Sequence, residues 1–103
     1  MKFEWYLTEK DLIEANEESD LEDYICGRVY IYDDDKIYLA DIYHERYSYA
    51  ERCFDLEVYE SDEDARVGEW VGSIKDIKTA TNLKRFMNRA EKLVESLITE
   101  DRK

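Results

Sequence analysis

Three consecutive aspartates, Asp33, Asp34 and Asp35, stand between two runs rich in tyrosine and isoleucine and are the most obvious candidates for chemistry. Clustered carboxylates of this kind bind Mg²⁺ or Ca²⁺, or act as general acids and bases. Adjacent residues of a strand or turn point in different directions, so a metal site here would need further oxygen ligands from elsewhere in the chain. We therefore predict a solvated acidic turn that binds neither a metal ion nor a cofactor.

Histidine and cysteine, the other residue types that commonly carry catalysis or bind zinc, are scarce. His44 is the only histidine, and Cys26 and Cys53 are the only cysteines, so a zinc site would lack a fourth ligand. The segment 61–68 begins like a calcium-binding EF-hand loop but has Arg66 where a ligand belongs. A nucleophile elbow, a phosphate-binding loop and a dinucleotide fingerprint are all missing from the sequence. We predict that the protein is not an enzyme.

The cysteine usage and the hydropathy pattern indicate where the protein resides. Two cysteines without a metal-type spacing are typical of reduced thiols in a cytoplasmic protein. No apolar run approaches the ~20 residues of a membrane span, and the opening MKFEWYLTEKDL lacks the apolar centre of a signal peptide. The sequence therefore predicts a cytoplasmic protein without a membrane partner.

Charge is distributed unevenly along the 103 residues, whose net charge is −12. Residues 1–74 hold 22 acidic and 7 basic residues, a net of −15, whereas residues 75–103 carry a net of +3. A small domain needs only about 2–8 charges to stay soluble. An acidic body of this kind repels nucleic acid and anionic lipid, so its expected partner is a basic nucleic-acid-binding protein rather than nucleic acid itself.

The carboxylates concentrate in the segments 14–23, 33–35 and 60–64, and tyrosines stand close to the second of them. Tyrosine is enriched where proteins meet and accepts stacking by arginine, although cross-strand tyrosines also serve simply to stabilise a sheet. The candidate partner-binding residues are Glu14, Glu17, Glu18, Asp20, Asp33, Asp34, Asp35, Glu60, Asp62, Glu63, Asp64, Tyr30, Tyr32 and Tyr38.

Strand patterns place most of these residues. The runs 24–32, 36–44 and 52–60 are rich in β-branched and aromatic residues, and 66–73 and the short alternating run 3–7 are weaker strand candidates. The aspartates between the first two runs predict a hairpin turn, because aspartate tolerates left-handed backbone angles. With a three-residue turn, Ile31 pairs with Ile37 and Val29 with Leu39. The predicted apolar face then carries Ile25, Val29, Ile31, Ile37, Leu39 and Tyr43, and the other face Tyr24, Tyr30, Tyr32, Tyr38, Arg28 and Lys36.

Two helices complete the prediction. Thr8 and Asp11 have the spacing of a capping box, which predicts a short N-terminal helix ending near Glu18. Apolar residues recur at helical spacing near the C-terminus and cover an arc of roughly 140°; they are Leu83, Phe86, Met87, Ala90, Leu93, Val94, Leu97 and Ile98. The expected fold is a single α+β domain over residues 1–103, with a three- to four-stranded antiparallel sheet covered on one face by the C-terminal helix.

In size, charge and lack of catalytic motifs, the whole chain resembles the small acidic inhibitors of phages and mobile elements, the anti-CRISPR and anti-restriction proteins. The resemblance includes no diagnostic motif, so it assigns no individual residue. It implies a non-enzymatic inhibitor that binds a CRISPR effector or restriction-type enzyme as a nucleic-acid mimic. The alternative expectation is an assembly or regulatory subunit that docks or forms a homodimer through the tyrosine-rich sheet face.

Overall fold

A computed structural model describes residues 1–11, 25–44, 53–78 and 83–101, which form an antiparallel sheet and a C-terminal helix. The strands are β1 (Lys2–Tyr6), β2 (Ile25–Asp33), β3 (Lys36–His44), β4 (Cys53–Ser61) and β5 (Val67–Lys78), and the C-terminal helix is Leu83–Asp101. Their order in the sheet is that of the chain, so each strand pairs with its sequence neighbours. The α+β prediction is confirmed.

The described residues form a sheet of five strands, so the predicted count of three or four is wrong. Both weaker candidates are edge strands. In β1 only Phe3 and Trp5 are half-buried and the other residues are exposed, while β5 pairs with β4 through several register shifts. β1 alternates but has only five residues, and the register shifts of β5 interrupt its alternation, so each gives a weaker sequence pattern than the inner strands.

The predicted N-terminal capping box is present. The Thr8 amide donates to the Asp11 carboxylate at 2.8 Å, and the Asp11 amide donates back to the Thr8 hydroxyl at 3.2 Å. Helical conformation is described for residues 9–11. The remainder of the predicted helix, toward Glu18, lies outside the described residues.

The turn between β2 and β3 is one residue shorter than predicted. Asp33 pairs with Lys36, so only Asp34 and Asp35 form the turn, and Asp34 has a left-handed φ of 54°. Two-residue turns suit the twist of adjacent strands and are the commonest hairpin connection. The predicted pairing is therefore wrong: Ile31 faces Tyr38 instead of Ile37.

This register changes the face on which each β3 residue lies, because side chains alternate along a strand. Tyr38, Ala40 and Ile42 face the helix and are fully buried with Val29 and Ile31. Tyr38 is therefore part of the core, and its assignment as a partner-binding residue is wrong. The residues expected on the core face, namely Ile37, Leu39 and Tyr43, lie on the opposite face, which we call the outer face. Ile25 is exposed, and Tyr24 lies outside the described residues.

The C-terminal helix packs tightly against the face of the sheet that lies opposite the outer face. Its buried residues are Phe86, Ala90, Val94 and Ile98, spaced four apart. The Phe86 ring packs edge-on against Trp5 of β1 at 6.2 Å and Phe54 of β4 at 5.7 Å. At β5 the helix approaches closely because Gly72 has no side chain: a Cβ there would lie 2.9 Å from Leu97 Cδ1. The helix thus contacts both edge strands.

One residue of the predicted apolar helix face does not belong to the core. Leu93 is 39 % exposed, whereas its neighbour Val94 is buried. At 100° per residue Leu93 lies about 80° from the centre of the buried arc, so the sheet does not reach it. No helix among the described residues combines the length and the apolarity that crossing a membrane requires.

We expect Phe86→Ala to lower the free energy of unfolding by about 3–5 kcal/mol, because it removes a buried ring that joins β1 and β4 to the helix. Leu93→Ala on the same helix should cost less than about 1 kcal/mol, since Leu93 is partly exposed and lies outside the hydrophobic core. Urea unfolding followed by circular dichroism measures both values. Equal costs for the two variants would contradict this orientation of the helix.

Candidate partner-binding surface

Two acidic turns lie side by side at one end of the sheet. In a sheet whose strand order follows the chain, the β2–β3 turn and the β4–β5 turn fall at the same end. The strands that lead to them, β3 and β4, are hydrogen-bonded neighbours, with Ile37 opposite Ser61 and Tyr38 opposite Glu60. A groove of about 340 Å³ separates the turns and is lined by residues of both, among them Asp35 and Glu63. We call residues 33–36 and 60–66 the acidic turn surface.

Most of the predicted carboxylates meet on this surface: Asp33, Asp34, Asp35, Glu60, Asp62, Glu63 and Asp64. Lys36 and Arg66 are its only cations, so these seven carboxylates leave a net of five negative charges. The Lys36 ammonium lies 3.9 Å from the Glu60 carboxylate, a long contact between exposed groups that neutralises little of the local field. The two segments that sequence reasoning grouped by composition are therefore adjacent in space.

The third predicted acidic segment, with Glu14, Glu17, Glu18 and Asp20, lies outside the described residues. Ile25, the first described residue after this segment, pairs with Tyr43 at the end of the sheet opposite the acidic turn surface.

Internal hydrogen bonds hold the β4–β5 turn in shape. The Asp62 carboxylate accepts from the Arg66 amide at 3.1 Å and the Asp64 amide at 2.9 Å. These backbone bonds, together with the nearby guanidinium of Arg66, lower the pKa of Asp62. Arg66 also contacts Asp64 at 2.7 Å. Glu63, at the tip, makes no ion pair within the described part of the chain, so its charge points outward uncompensated.

A tyrosine-lined groove adjoins the acidic turn surface on the outer face. Tyr6, Tyr30 and Tyr32 line it, and it shares Ile37, Asp62 and Glu63 with the groove between the turns. Its volume is about 430 Å³, and we call it the tyrosine groove. Of the predicted tyrosines, Tyr30 and Tyr32 thus lie beside the acidic turns.

Tyr6 and Glu4 were missed by sequence reasoning, although the alternation of residues 3–7 carries the signal. On β1 both face outward, opposite Arg28 and Tyr30. The Tyr6 and Tyr30 rings meet edge-on at 5.6 Å, and the Tyr6 hydroxyl donates a hydrogen bond to the Glu4 carboxylate. That bond and the negative charge of Glu4 raise the pKa of Tyr6, so its phenol stays neutral at physiological pH.

Farther from the turns, the outer face carries a row of paired charges. Asp41 stands directly opposite Glu57, a like-charge pair that would destabilise the sheet if it were left uncompensated. The Arg28 guanidinium bonds Asp41 at 2.7 Å. Lys75 lies 3.3 Å from Glu57 and 3.5 Å from the buried Asp55. Each carboxylate of the row therefore has a cation beside it.

Glu57 accepts three hydrogen bonds, from the Trp70 indole at 2.8 Å, the Ser73 hydroxyl at 2.5 Å and the Lys75 ammonium at 3.3 Å. Partial burial alone would raise the pKa of Glu57, but the bonds from Ser73, Trp70 and Lys75 outweigh it and the pKa is lowered. A carboxyl that stays ionised at neutral pH is a poor general acid.

Cys26, the one thiol whose surroundings are described, is poorly suited to act as a nucleophile. Cys26 is buried, and desolvation raises the pKa of its thiol to about 12. At neutral pH it is the unreactive thiol form, because only the thiolate attacks carbon or binds metal. Across the described ranges, no group of three metal-binding side chains stands close enough to hold an ion. The His44 side chain is not described.

Glu57→Gln should reduce the loss of stability at acid pH. Since the folded protein lowers the pKa of Glu57, its carboxylate contributes stability above the unfolded pKa of about 4.3, and that stability is lost as the pH falls through the folded value. Thermal unfolding between about pH 6 and pH 3 measures the slope. Glu69→Gln, at an exposed position on β5, should keep the wild-type slope. Equal slopes for both variants would contradict the role of Glu57.

Ala65→Gly should stabilise the β4–β5 turn. Ala65 has a left-handed φ of 60°, which costs a residue with a Cβ about 1–2 kcal/mol and costs glycine little. We expect a gain of up to about 1 kcal/mol in the free energy of unfolding. Ala65→Val, which adds a branched side chain at the same backbone angle, should instead destabilise. A destabilising glycine substitution would show that the turn does not hold this conformation.

No protein-family model matches the chain, and neither a curated protein nor a solved structure matches it significantly. A function for this chain therefore rests on the chemistry of its own surface.

Proposed function

We propose that the protein is a non-enzymatic inhibitor that binds a basic nucleic-acid-handling protein, such as a CRISPR effector or a restriction-type enzyme. The acidic turn surface takes the place of the phosphate backbone, and the neighbouring Tyr30 and Tyr32 contribute apolar contact. The observation that carries this proposal is the adjacency of the two acidic turns, which leaves five net negative charges at one end of the sheet.

Charge density is the physical reason why adjacency matters. Duplex DNA presents one negative charge per ~1.7 Å of its axis, whereas one face of a single strand offers a side chain only every ~6.6 Å. Strands in a sheet lie about 4.8 Å apart, so carboxylates on two neighbouring hairpin turns approach the phosphate density more closely than either turn does alone. A partner whose cationic groove matches nucleic acid then gains affinity from several carboxylates together.

The rigid backbone of the two acidic turns also favours binding of a partner. Asp62 holds the backbone of the β4–β5 turn through two hydrogen bonds, and Asp34 adopts the left-handed conformation of a tight turn. Side chains fixed to such turns lose less conformational freedom on binding than side chains of a flexible loop. Glu63 projects between both grooves and is the most favourably placed single carboxylate.

A second candidate function is an assembly or regulatory subunit that docks or dimerises through the outer face. It is favoured by the exposed aromatic residues there: Trp70 is 60 % and Tyr6 57 % exposed. Large aromatic side chains such as these are enriched in protein interfaces. In such a subunit the excess negative charge serves only solubility. If the subunit dimerises, its molecular mass should rise with protein concentration.

The proposed inhibition predicts a binding reaction that is sensitive both to salt and to charge on the acidic turn surface. Immobilised protein should capture nucleic-acid enzymes from lysate and release them in a salt gradient, and the identified enzymes should lose activity on addition of the protein. Asp35→Lys with Glu63→Lys should weaken inhibition at least tenfold and flatten its salt dependence, because like charges now face the cationic groove. Circular dichroism should be unchanged.

The matched control is Glu95→Lys with Glu100→Lys, which changes the net charge equally at exposed positions of the C-terminal helix. If both double variants weaken inhibition equally, overall charge rather than the acidic turn surface is responsible. Binding that survives the turn reversals but is lost in Tyr30→Ala with Tyr32→Ala would favour the docking subunit. Sedimentation at several concentrations tests dimerisation directly.

A further inference from the structure

We infer that the tyrosine groove is a receptor for an arginine side chain of the partner protein. This inference rests on the proposed function and deepens it: the acidic turns attract a basic surface in general, and the groove selects a guanidinium within that surface. The groove joins three tyrosine rings to carboxylates at its rim, a combination that neither acidic turn offers alone.

The walls of the groove are suited to stacking. Tyr6 and Tyr32 are 57 % and 37 % exposed, so their rings are open to a ligand, and Tyr30 meets Tyr6 edge-on at 5.6 Å. The two rings are nearly perpendicular, at 87°. Ile37 and Ala65 complete an apolar surround. A guanidinium is planar and weakly hydrated, and it stacks on tyrosine faces.

The charges around the groove favour a cation. Glu63 lines it without an ion pair among the described residues, and Glu4 lies beside Tyr6 and opposite Tyr30 on β1. Asp62 also lines the groove, but its charge is shared with Arg66 at 3.1 Å. Two cations stand nearby on the strands. Lys2 pairs across from Tyr32, and the Arg28 guanidinium is held by Asp41 at 2.7 Å and also donates to the Tyr30 hydroxyl at 3.4 Å. With Arg28 paired to Asp41 and Arg66 to Asp62, the two carboxylates of Glu63 and Glu4 and the one ammonium of Lys2 leave a net of one negative charge around the groove.

The same features of the groove favour an arginine side chain over a lysine side chain. A lysine ammonium is a compact, strongly hydrated point charge that gains mainly from carboxylates, which the whole acidic turn surface supplies. An arginine side chain can place its plane on Tyr32 while its N–H groups donate to a carboxylate at the rim such as Glu63. The groove of about 430 Å³ is open to solvent along the outer face, so the side chain enters without a rearrangement of the strands.

Two blocked peptides of equal charge test the inference, one Gly-Arg-Gly-Arg-Gly and the other Gly-Lys-Gly-Lys-Gly. Each is titrated into the protein at low salt while NMR follows the ring signals of Tyr6, Tyr30 and Tyr32. We expect the arginine peptide to bind at least threefold more tightly and to shift these rings selectively. Tyr32→Leu should weaken its binding about three- to tenfold, the range of an exposed to partly desolvated cation–π contact.

Matched variants separate the contributions. Tyr59→Leu removes a ring from the same face but outside the groove and should leave both affinities unchanged. Glu63→Gln should weaken both peptides about two- to fivefold, as loss of one exposed charge does, whereas Glu69→Gln should not. Should Tyr32→Leu fail to fold, Tyr6→Leu on the edge strand β1 provides the same measurement, because Tyr6 is the more exposed wall of the groove.

The inference is overturned if the two peptides bind equally, if the shifts map to Trp70 or Tyr43 instead, or if neither tyrosine variant changes the affinity for arginine. It is also overturned if the groove rings shift with protein concentration alone, since the occupant is then a second copy of the chain. Enzyme inhibition by the acidic turns without an arginine preference would remove only this inference. Arginine selectivity without inhibition of any basic enzyme would remove the proposed function and keep the site.

Discussion

The pairing of Asp33 with Lys36 is the contact on which the arrangement of the rest of the sheet depends. It confines the β2–β3 turn to Asp34 and Asp35 and so decides which β3 side chains face the helix. Tyr38, Ala40 and Ile42 fill the core as a result, while Leu39 and Ile37 lie among the tyrosines of the outer face. A turn longer by one residue would bury a different set of side chains, because side chains alternate with a period of two along a strand.

Among the described residues, the C-terminal helix covers one face of the sheet, and charged side chains are arranged differently on the two faces. The helix side is apolar, from Trp5 and Phe54 to the four buried positions of the C-terminal helix. On the outer face, the opposed carboxylates Asp41 and Glu57 are stabilised by Arg28 and Lys75. This pairing gives each buried or half-buried carboxylate a partner, and removing that partner would leave an uncompensated charge that destabilises the fold strongly.

The carboxylates that have little such compensation lie on the acidic turn surface, at the end of the sheet. There the backbone is held by the turn hydrogen bonds of Asp62, so repulsion between carboxylates acts on exposed, solvated side chains and not on the core. The same placement presents the negative charge to a partner as a rigid edge beside aromatic rings. The position of the acidic turn surface therefore suits both the stability of the fold and the proposed recognition of a basic protein.

The sequence alone determined the α+β class, the long helix with its apolar stripe, the capping box at Thr8, and the acidic clusters beside Tyr30 and Tyr32. These features follow from local periodicity and composition, which one segment carries by itself. Tertiary structure decided the five-strand count, the burial of Tyr38, the exposure of Leu93, and the juxtaposition of residues 33–36 with residues 60–66. It also decided that Tyr6 and Glu4 join Tyr30 in one groove. Each of these depends on strand register or on the area that a neighbouring element covers, and both arise only when distant segments pair, because a hydrophobic pattern is compatible with more than one turn length.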